Sequence, residues 1–469
     1  MYRKEAVFRG RLVITGFGSV GQGALPLLLR HIEMRPAQLL VIDAHAGDAP
    51  LAQALGVPYL TARLREDNYR RVLEPHLGRG DFLLNLSVEV SSTDLMQHCR
   101  EVGALYLDTC TEPWPGSCAD ASRPAAERTN YALRERALAL REPGAAPTAV
   151  MTHGANPGLV SHFLKHALLS IAQDIGTAGA VPASREDWAR LAQRLGIRAI
   201  HIAERDTQWS RERKGAGEFV NTWSIPGFIE ESLQPSELGW GSHERRFPAD
   251  GARHQSGCRA SIYLDRPGAA TRVRSWAPLA GPFHGFLVTH AESMSIADYL
   301  TLGDPLRPSY RPTVLYAYHP CDDAVLSLHE LAGRNWRPQA KHRHIRDDIG
   351  SGRDELGVLL MGHAKNAYWF GSQLTVEQAR DACPCNSATS LQVAAGVMAG
   401  VVWAIRNPHA GVVEPEELPF DEILRLSKPY LGELRGAYSD WSPLADRGWL
   451  FEEDVDRSDP WQFGNFRVT

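Results

Sequence analysis

The sequence predicts a two-part α/β chain: a Rossmann-type doubly wound parallel sheet, then an α+β domain with a mainly antiparallel sheet. Three observations predict it. Strand-like apolar runs alternate with helical patterns through the first third of the chain. A glycine-rich turn joins the first run to the first helix. From about residue 200 the texture changes to short β-like runs separated by Gly and Pro turns.

Element by element, the strand-like runs are RLVITG (11–16), QLLVID (38–43), VPYLTA (57–62), DFLLNLS (81–87), ALYLDT (104–109) and TAVMTHG (148–154). Helical patterns fall near 19–32, 67–77, 91–102 and 124–141. Strands separated by helices imply parallel pairing. Pro26 inside the first helix is expected to kink it or displace its start. A break near 174–184 precedes one more helix, 185–195. A helical pattern returns over 375–407, and the tail is rich in Trp, Pro and Asp. The expected organisation is 1–160 as the doubly wound domain and 161–375 as the α+β domain. Residues 376–469 are expected as helices and a tail packing back on the first domain.

Gly16-Phe-Gly18-Ser19-Val20-Gly21 follows the first strand and opens the first helix. Gly16 permits the tight turn, Gly18 lets the backbone approach a pyrophosphate, and Gly21 lets helix and strand touch. The helix N-terminus supplies free N–H groups and positive dipole. Asp43 ends the second strand, 22 residues after Gly21. A carboxylate there accepts bonds from ribose hydroxyls and repels a 2′-phosphate, which favours NAD over NADP. Small polar residues at later strand ends continue the cleft: Asn85, Ser87, Thr109, and the run Thr152-His-Gly-Ala-Asn156-Pro157. Asn156 then Pro157 also reads as a helix start, with Asn as N-cap.

Composition narrows the function classes. With 469 residues, 43% of them hydrophobic, the chain can bury a large core. A net charge of −5 and a pI near 6.4 argue against a dedicated nucleic-acid binder. The seven cysteines are scattered, with no CxxC, so neither a disulfide framework nor a metal site is expected. No secretory signal is expected from the N-terminal residues, and the longest apolar run, Leu391–Ile405, is short for a bilayer span. The chain is expected to be cytoplasmic, without a membrane partner. Six lysines among 50 basic residues leave few candidates for a Schiff base.

Several segments of the second half carry carboxylates and aromatics together: His201-Ile-Ala-Glu204-Arg205-Asp206, Asn221-Thr-Trp223 with Glu230-Glu231, His290-Ala-Glu292, and Arg353-Asp354-Glu355. Glu112-Pro-Trp114 and Glu89 add to them from the first domain. Carboxylates and Trp faces hold ammonium groups, so the combination suggests a pocket for a cation. Beside a nicotinamide, such a pocket would oxidise an amine.

At these residues the chain resembles bacterial homospermidine synthase, a branch of the saccharopine dehydrogenase-like proteins. The resemblance runs from GFGSVGQG to SDPWQF. Its blocks include DFLLNLSVEVSSTD (81–94), EPW (112–114), GANPG (154–158), HIAERDTQ (201–208), FVNTWS (219–224), LQPSELGWG (233–241) and GFLVTH with ES (285–293). It implies a homodimer that holds NAD as a prosthetic group and moves an aminobutyl group from putrescine or spermidine to putrescine. Imines form on the way, ammonia or diaminopropane leaves, and no net redox occurs. It further implies that Trp223 gives a cation–π contact and that Glu204, Glu231, His290 and Glu292 bind the amines. Asn156, Glu112, Glu89 and Asp354 join them. Glu89 stands where the family pattern has Asp, and Cys110, Cys118, Cys383 and Cys385 depart from it. Two other readings stay open. A saccharopine- or carboxynorspermidine-type dehydrogenase would place Arg205, Arg272 or Arg353 on a substrate carboxylate. A non-catalytic NAD-binding regulator would show no turnover.

Overall fold

The computed structural model describes residues 3–116, 120–384 and 386–468. Six strands of the first third form a parallel sheet: β1 (Leu12–Thr15), β2 (Leu39–Asp43), β3 (Tyr59–Thr61), β4 (Phe82–Asn85), β5 (Leu105–Asp108) and β6 (Ala146–Val150). Their order is β3-β2-β1-β4-β5-β6, so the chain switches direction at β1 and opens a crevice beyond its carboxyl end. The strands are apolar on both faces because both are covered. On β1, Leu12 and Ile14 enter one core and Val13 the other.

Helix Ser19–His31 follows β1 and contains Pro26 without displacement of its start. The expected strands match within four residues at either end. The helix Ala49–Ala54 between β2 and β3 was not among the expected elements.

The second sheet is built around β7 (Ala199–Asp206), with β8 (Pro235–Gly239), β9 (Thr313–His319), β10 (Arg353–His363) and β11 (Asn366–Thr375). β7 pairs parallel with β9 and antiparallel with β10, and the other pairs in this sheet are antiparallel. The pleat sends Ile202 to the core shared with the nucleotide domain and Ala203 to a separate core behind the sheet. Glu204 and Asp206 therefore face the nucleotide domain, as do Tyr316 and Tyr318 on β9.

Residues 376–469, expected to pack back on the first domain, pair with both sheets. Strand Ala410–Val413 adds to β6 at the edge of the first sheet. Strand Glu433–Ser439 pairs with β11, and Arg467–Val468 joins the second sheet at Arg272–Val273. Helix Ala388–Arg406 is long and apolar enough to cross a membrane by length and composition, yet 89% of its apolar window is buried inside the protein. Its small residues let neighbouring backbone approach: a Cβ at Gly396 would lie 2.0 Å from the Gly154 carbonyl oxygen. It is a core helix that clamps the two sheets.

Candidate active site

A cavity of about 1150 Å³ runs between the sheets, from the glycine turn to the acidic face of β7. Its size exceeds the roughly 300–1,000 Å³ of a drug-sized pocket.

At the nucleotide end, Gly16 has φ +82°, and a Cβ there would lie 2.5 Å from the Leu86 carbonyl oxygen. A Cβ at Gly21 would lie 2.7 Å from the Gly16 carbonyl oxygen, so Gly21 packs inside the turn and does not line the cavity. A Cβ at Gly18 would meet nothing within 4 Å because it points into the cavity. Gly18 caps the helix without a side-chain bond, which leaves N–H groups aimed at the crevice. Asp43 accepts from the Phe17 N–H at 2.6 Å and the His45 N–H at 2.8 Å, which fixes the carboxylate beside the turn. Asn85 Oδ1 accepts from Thr15 Oγ1 (3.0 Å) and the Ser87 N–H (3.2 Å). Ser19, Val20, Ser87, Thr109 and Pro157 line the same cavity. The space left at Gly18, the uncapped helix start and the acidic end of β2 together fit a dinucleotide. Gly18→Ala is therefore expected to leave thermal stability unchanged and to weaken NAD about tenfold, by filling the approach path. Gly16→Ala, at positive φ against backbone, is expected to destabilise the fold by about 2 kcal/mol. Calorimetric NAD titration and thermal melts check the pair; equal stability in both variants would contradict this reading of the turn.

At the other end, Glu204 is buried. Its Oε2 accepts from Asn156 Nδ2 and from the Tyr316 hydroxyl, both at 2.7 Å. Burial pushes its pKa up to about 7. The expected N-cap role of Asn156 is not what the backbone adopts. The helix begins at Leu159, behind Gly158 with φ +127°, where a Cβ would lie 2.2 Å from the Gly154 carbonyl oxygen. Asn156 and Pro157 lie before that turn, and the Asn156 amide is free to serve Glu204.

His290 stands between two carboxylates. Its Nδ1 lies 3.1 Å from Glu292 Oε1 and its Nε2 3.3 Å from Glu231 Oε2. Burial alone would push the imidazole down, but these two carboxylates hold its pKa well above the usual value. Burial pushes Glu231 up. The ring packs at a tilt of 33° on Tyr316, with centroids 4.3 Å apart. Glu292 is buried behind the ring and does not line the cavity. Trp223 is half-buried, donates from Nε1 to the Tyr318 hydroxyl at 3.0 Å, and packs on Phe228.

Glu112 is pushed up to about 8 by burial and the neighbouring Glu230 charge. It accepts from the Glu89 N–H at 3.2 Å. Glu89 itself lines the cavity rim, exposed and at φ +58°, a rare conformation for a residue with a Cβ. Asp354 lies beneath the cavity. It is fully buried opposite Asp206, and its Oδ2 accepts from Thr389 Oγ1 at 2.5 Å. Burial first, then the Glu204 and Asp206 charges, drive Asp354 well above the usual carboxylate range. Of the three arginines considered for a substrate carboxylate, Arg205 pairs with Asp322, Arg272 bonds His329, and Arg353 is the exposed first residue of β10; none lines the cavity. No lysine lines it either among the described residues. Cys110 lines the cavity, Cys383 is buried, and Cys118 and Cys385 lie outside the described residues.

Sequence reasoning did not select Tyr316, His344, Asn130 or Thr389, all of which line the cavity. The signal for Tyr316 was YAYHP, an aromatic pair two apart on a strand, which puts both rings on one face. Thr389 had a weaker signal, the capping box at Ser387 that opens the core helix.

The raised carboxyls set a pH dependence of stability. Glu112 (about 8), Glu204, Glu244 and Glu416 (each about 7) keep protons that the unfolded chain releases near pH 4.5. His290 adds the same sign. Histidines pushed down by burial, such as His153 and His201, oppose this until the unfolded imidazoles have lost their protons, above about pH 7.5. Between about pH 7.5 and 8 the native state therefore binds more protons than the unfolded state, chiefly at Glu112 and His290, and stability falls as pH rises. Melts of the substrate-free protein across that window check it; a flat or rising Tm would contradict it.

Residues 12–151 match the saccharopine dehydrogenase NADP binding domain, and residues 154–439 the saccharopine dehydrogenase C-terminal domain. The chain is 52% identical over 465 residues to a homospermidine synthase of Blastochloris viridis, covering 98% of this chain and 97% of that one. It is 49% identical over 469 residues to the homospermidine synthase of Mesorhizobium japonicum, covering 98% and 96%. The crystal structure of a homospermidine synthase from Legionella pneumophila in complex with NAD superposes with a TM-score of 0.92 at 48% identity, over 99% of this chain and 98% of that one.

Proposed function

The chain belongs to the homospermidine synthase family, with NAD as its cofactor, and from that premise we propose a redox-neutral aminobutyl transfer in this cavity. One putrescine (or spermidine) is the donor and a second putrescine the acceptor. NAD, when bound, supplies reversible acceptance of hydride from the carbon that bears the amine. The glycine turn, Asp43, Asn85 and Ser87 would hold it. Trp223, Glu204 and Glu231 bind the ammonium ends of the substrate. A buried carboxyl with a pKa near 7 is a stronger base than an exposed one, so Glu204 suits removal of the ammonium proton at neutral pH. His290, held between Glu231 and Glu292, is placed to return a proton to the departing amine. Asn156 and Tyr316 hold Glu204 in place, Glu89 adds an acidic side chain at the cavity rim, and Glu112 and Asp354, whose carboxyls burial keeps largely protonated at neutral pH, act as hydrogen-bonding groups rather than as charges.

The observation that carries this reading is that the glycine turn and the acid-and-aromatic face open into one cavity. The same lining disfavours a carboxylate substrate, since among the described residues no arginine stands at the acidic end and the lining arginines, Arg63 and Arg65, lie in the segment after β3. The test is incubation with putrescine and NAD, without external oxidant or reductant, followed by amine chromatography and ammonia assay. Homospermidine with one ammonia per product and no net NADH is expected. NADH accumulating with substrate loss would instead indicate a conventional dehydrogenase, and NAD retention without product a regulator. A cytoplasmic homodimer belongs to the same proposal; light scattering of the purified protein tests the subunit count.

A further inference from the structure

The LQPSELGWG segment carries a buried carboxylate that touches neither end of the cavity. Glu237 is on β8, fully buried. Its Oε2 accepts from the Asn130 N–H at 2.7 Å and from Thr289 Oγ1 at 2.5 Å, and its Oε1 accepts from the Tyr131 N–H at 3.2 Å. Asn130 and Tyr131 are the first two residues of helix Asn130–Leu138, which belongs to the nucleotide-binding half. Thr129 caps the next N–H, that of Ala132, with its own hydroxyl. The carboxylate thus satisfies two N–H groups that a helix start leaves open, at its positive dipole end. Asn130 Nδ2 also donates to Thr289 Oγ1 at 3.2 Å, and Asn130 lines the cavity. Thr289 immediately precedes His290, which is the N-cap of helix Ala291–Tyr299.

We propose that Glu237 is a positioning residue: acting through Thr289, it sets where the His290 ring stands between Glu231 and Glu292, and ties that place to the nucleotide-binding half. The hydroxyl of Thr289 is a link that can be cut without touching Glu237 or His290 themselves. It gives one bond to Glu237 and takes one from Asn130, so the backbone at 289–290 is held from two domains. The site is sensitive to such a link because a misplacement of about 1 Å in a catalytic group can cost about 100-fold in rate.

This proposal rests on the reading of His290 as part of the site, and the experiment separates the two. Removing the Glu237 carboxylate risks the fold, since it strands two helix N–H groups and a hydroxyl. The variant used is therefore Thr289→Val, which keeps the shape and deletes the hydroxyl, with Thr289→Ser as its rescue. In the full-length protein with NAD and putrescine, Thr289→Val is expected to lose about tenfold in kcat. KM for putrescine should change less than kcat, NAD affinity should stay within twofold, and the pH–rate profile should shift. Thr289→Ser should restore the kcat and the profile. Wild-type kcat and pH profile in Thr289→Val would overturn the proposal, as would a loss that follows the unfolded fraction and is not rescued by Ser. His290→Ala is run beside them. If it keeps full turnover, the site reading fails; if it loses turnover while Thr289→Val does not, only the positioning role fails.

Discussion

Trp223→Ala is expected to retain NAD with unchanged affinity and to lose about 100-fold in kcat/KM for putrescine. The indole lines the cavity between the acidic face of β7 and the start of helix Ile225–Leu233. Its edge is fixed by the bond from Nε1 to the Tyr318 hydroxyl and by packing on Phe228. A desolvated ammonium over a Trp face gains about 2 kcal/mol, or about 30-fold. Loss of the cavity wall, which admits water to the buried carboxylates, accounts for the rest. None of the hydrogen bonds that shape the glycine turn involves Trp223, so the nucleotide end should not respond. Trp223→Phe keeps a weaker ring face and should fall between the two. Steady-state kinetics and NAD titration decide it, and normal turnover in the alanine variant would remove the cation–π contact.

Glu204→Gln is expected to lower kcat/KM by about 10–150-fold and to flatten the acid limb of the pH–rate profile. The wild-type carboxyl, pushed up to about 7 by burial, gains its charge as pH rises through neutrality. Activity that needs the anion therefore rises over the same interval. In the glutamine variant the carbonyl oxygen can still accept from Asn156 and Tyr316, so the local structure should survive. The amide NH₂ then faces the substrate ammonium, donor against donor. A hydrogen bond to a charged group is worth about 1.5–3 kcal/mol, which sets the range. Any rise that persists in the variant should lie nearer pH 8, where Glu112 titrates. A variant with the wild-type acid limb would show that another group removes the proton.

The sequence by itself determined the nucleotide half. Strand periods, the glycine spacing from Gly16 to Gly21 and the acidic end of β2 are local features, and each states its own geometry within a few residues. It also showed which residue types crowd the second half, through blocks whose resemblance spans nearly the whole chain. Only the tertiary structure decided how they meet. Asn156 left the cap role its sequence suggests because Gly158 makes the turn, and its amide reached Glu204, 48 residues away. Glu292 lies behind the His290 ring and Asp354 beneath the cavity. Tyr316 entered the site because β9 pairs beside β7, a register between segments more than a hundred residues apart. The core helix and the strand Ala410–Val413 returned to the first sheet for the same kind of reason. Pairing register and the burial of long-range partners are set by packing between distant segments, and no local period in the chain encodes them.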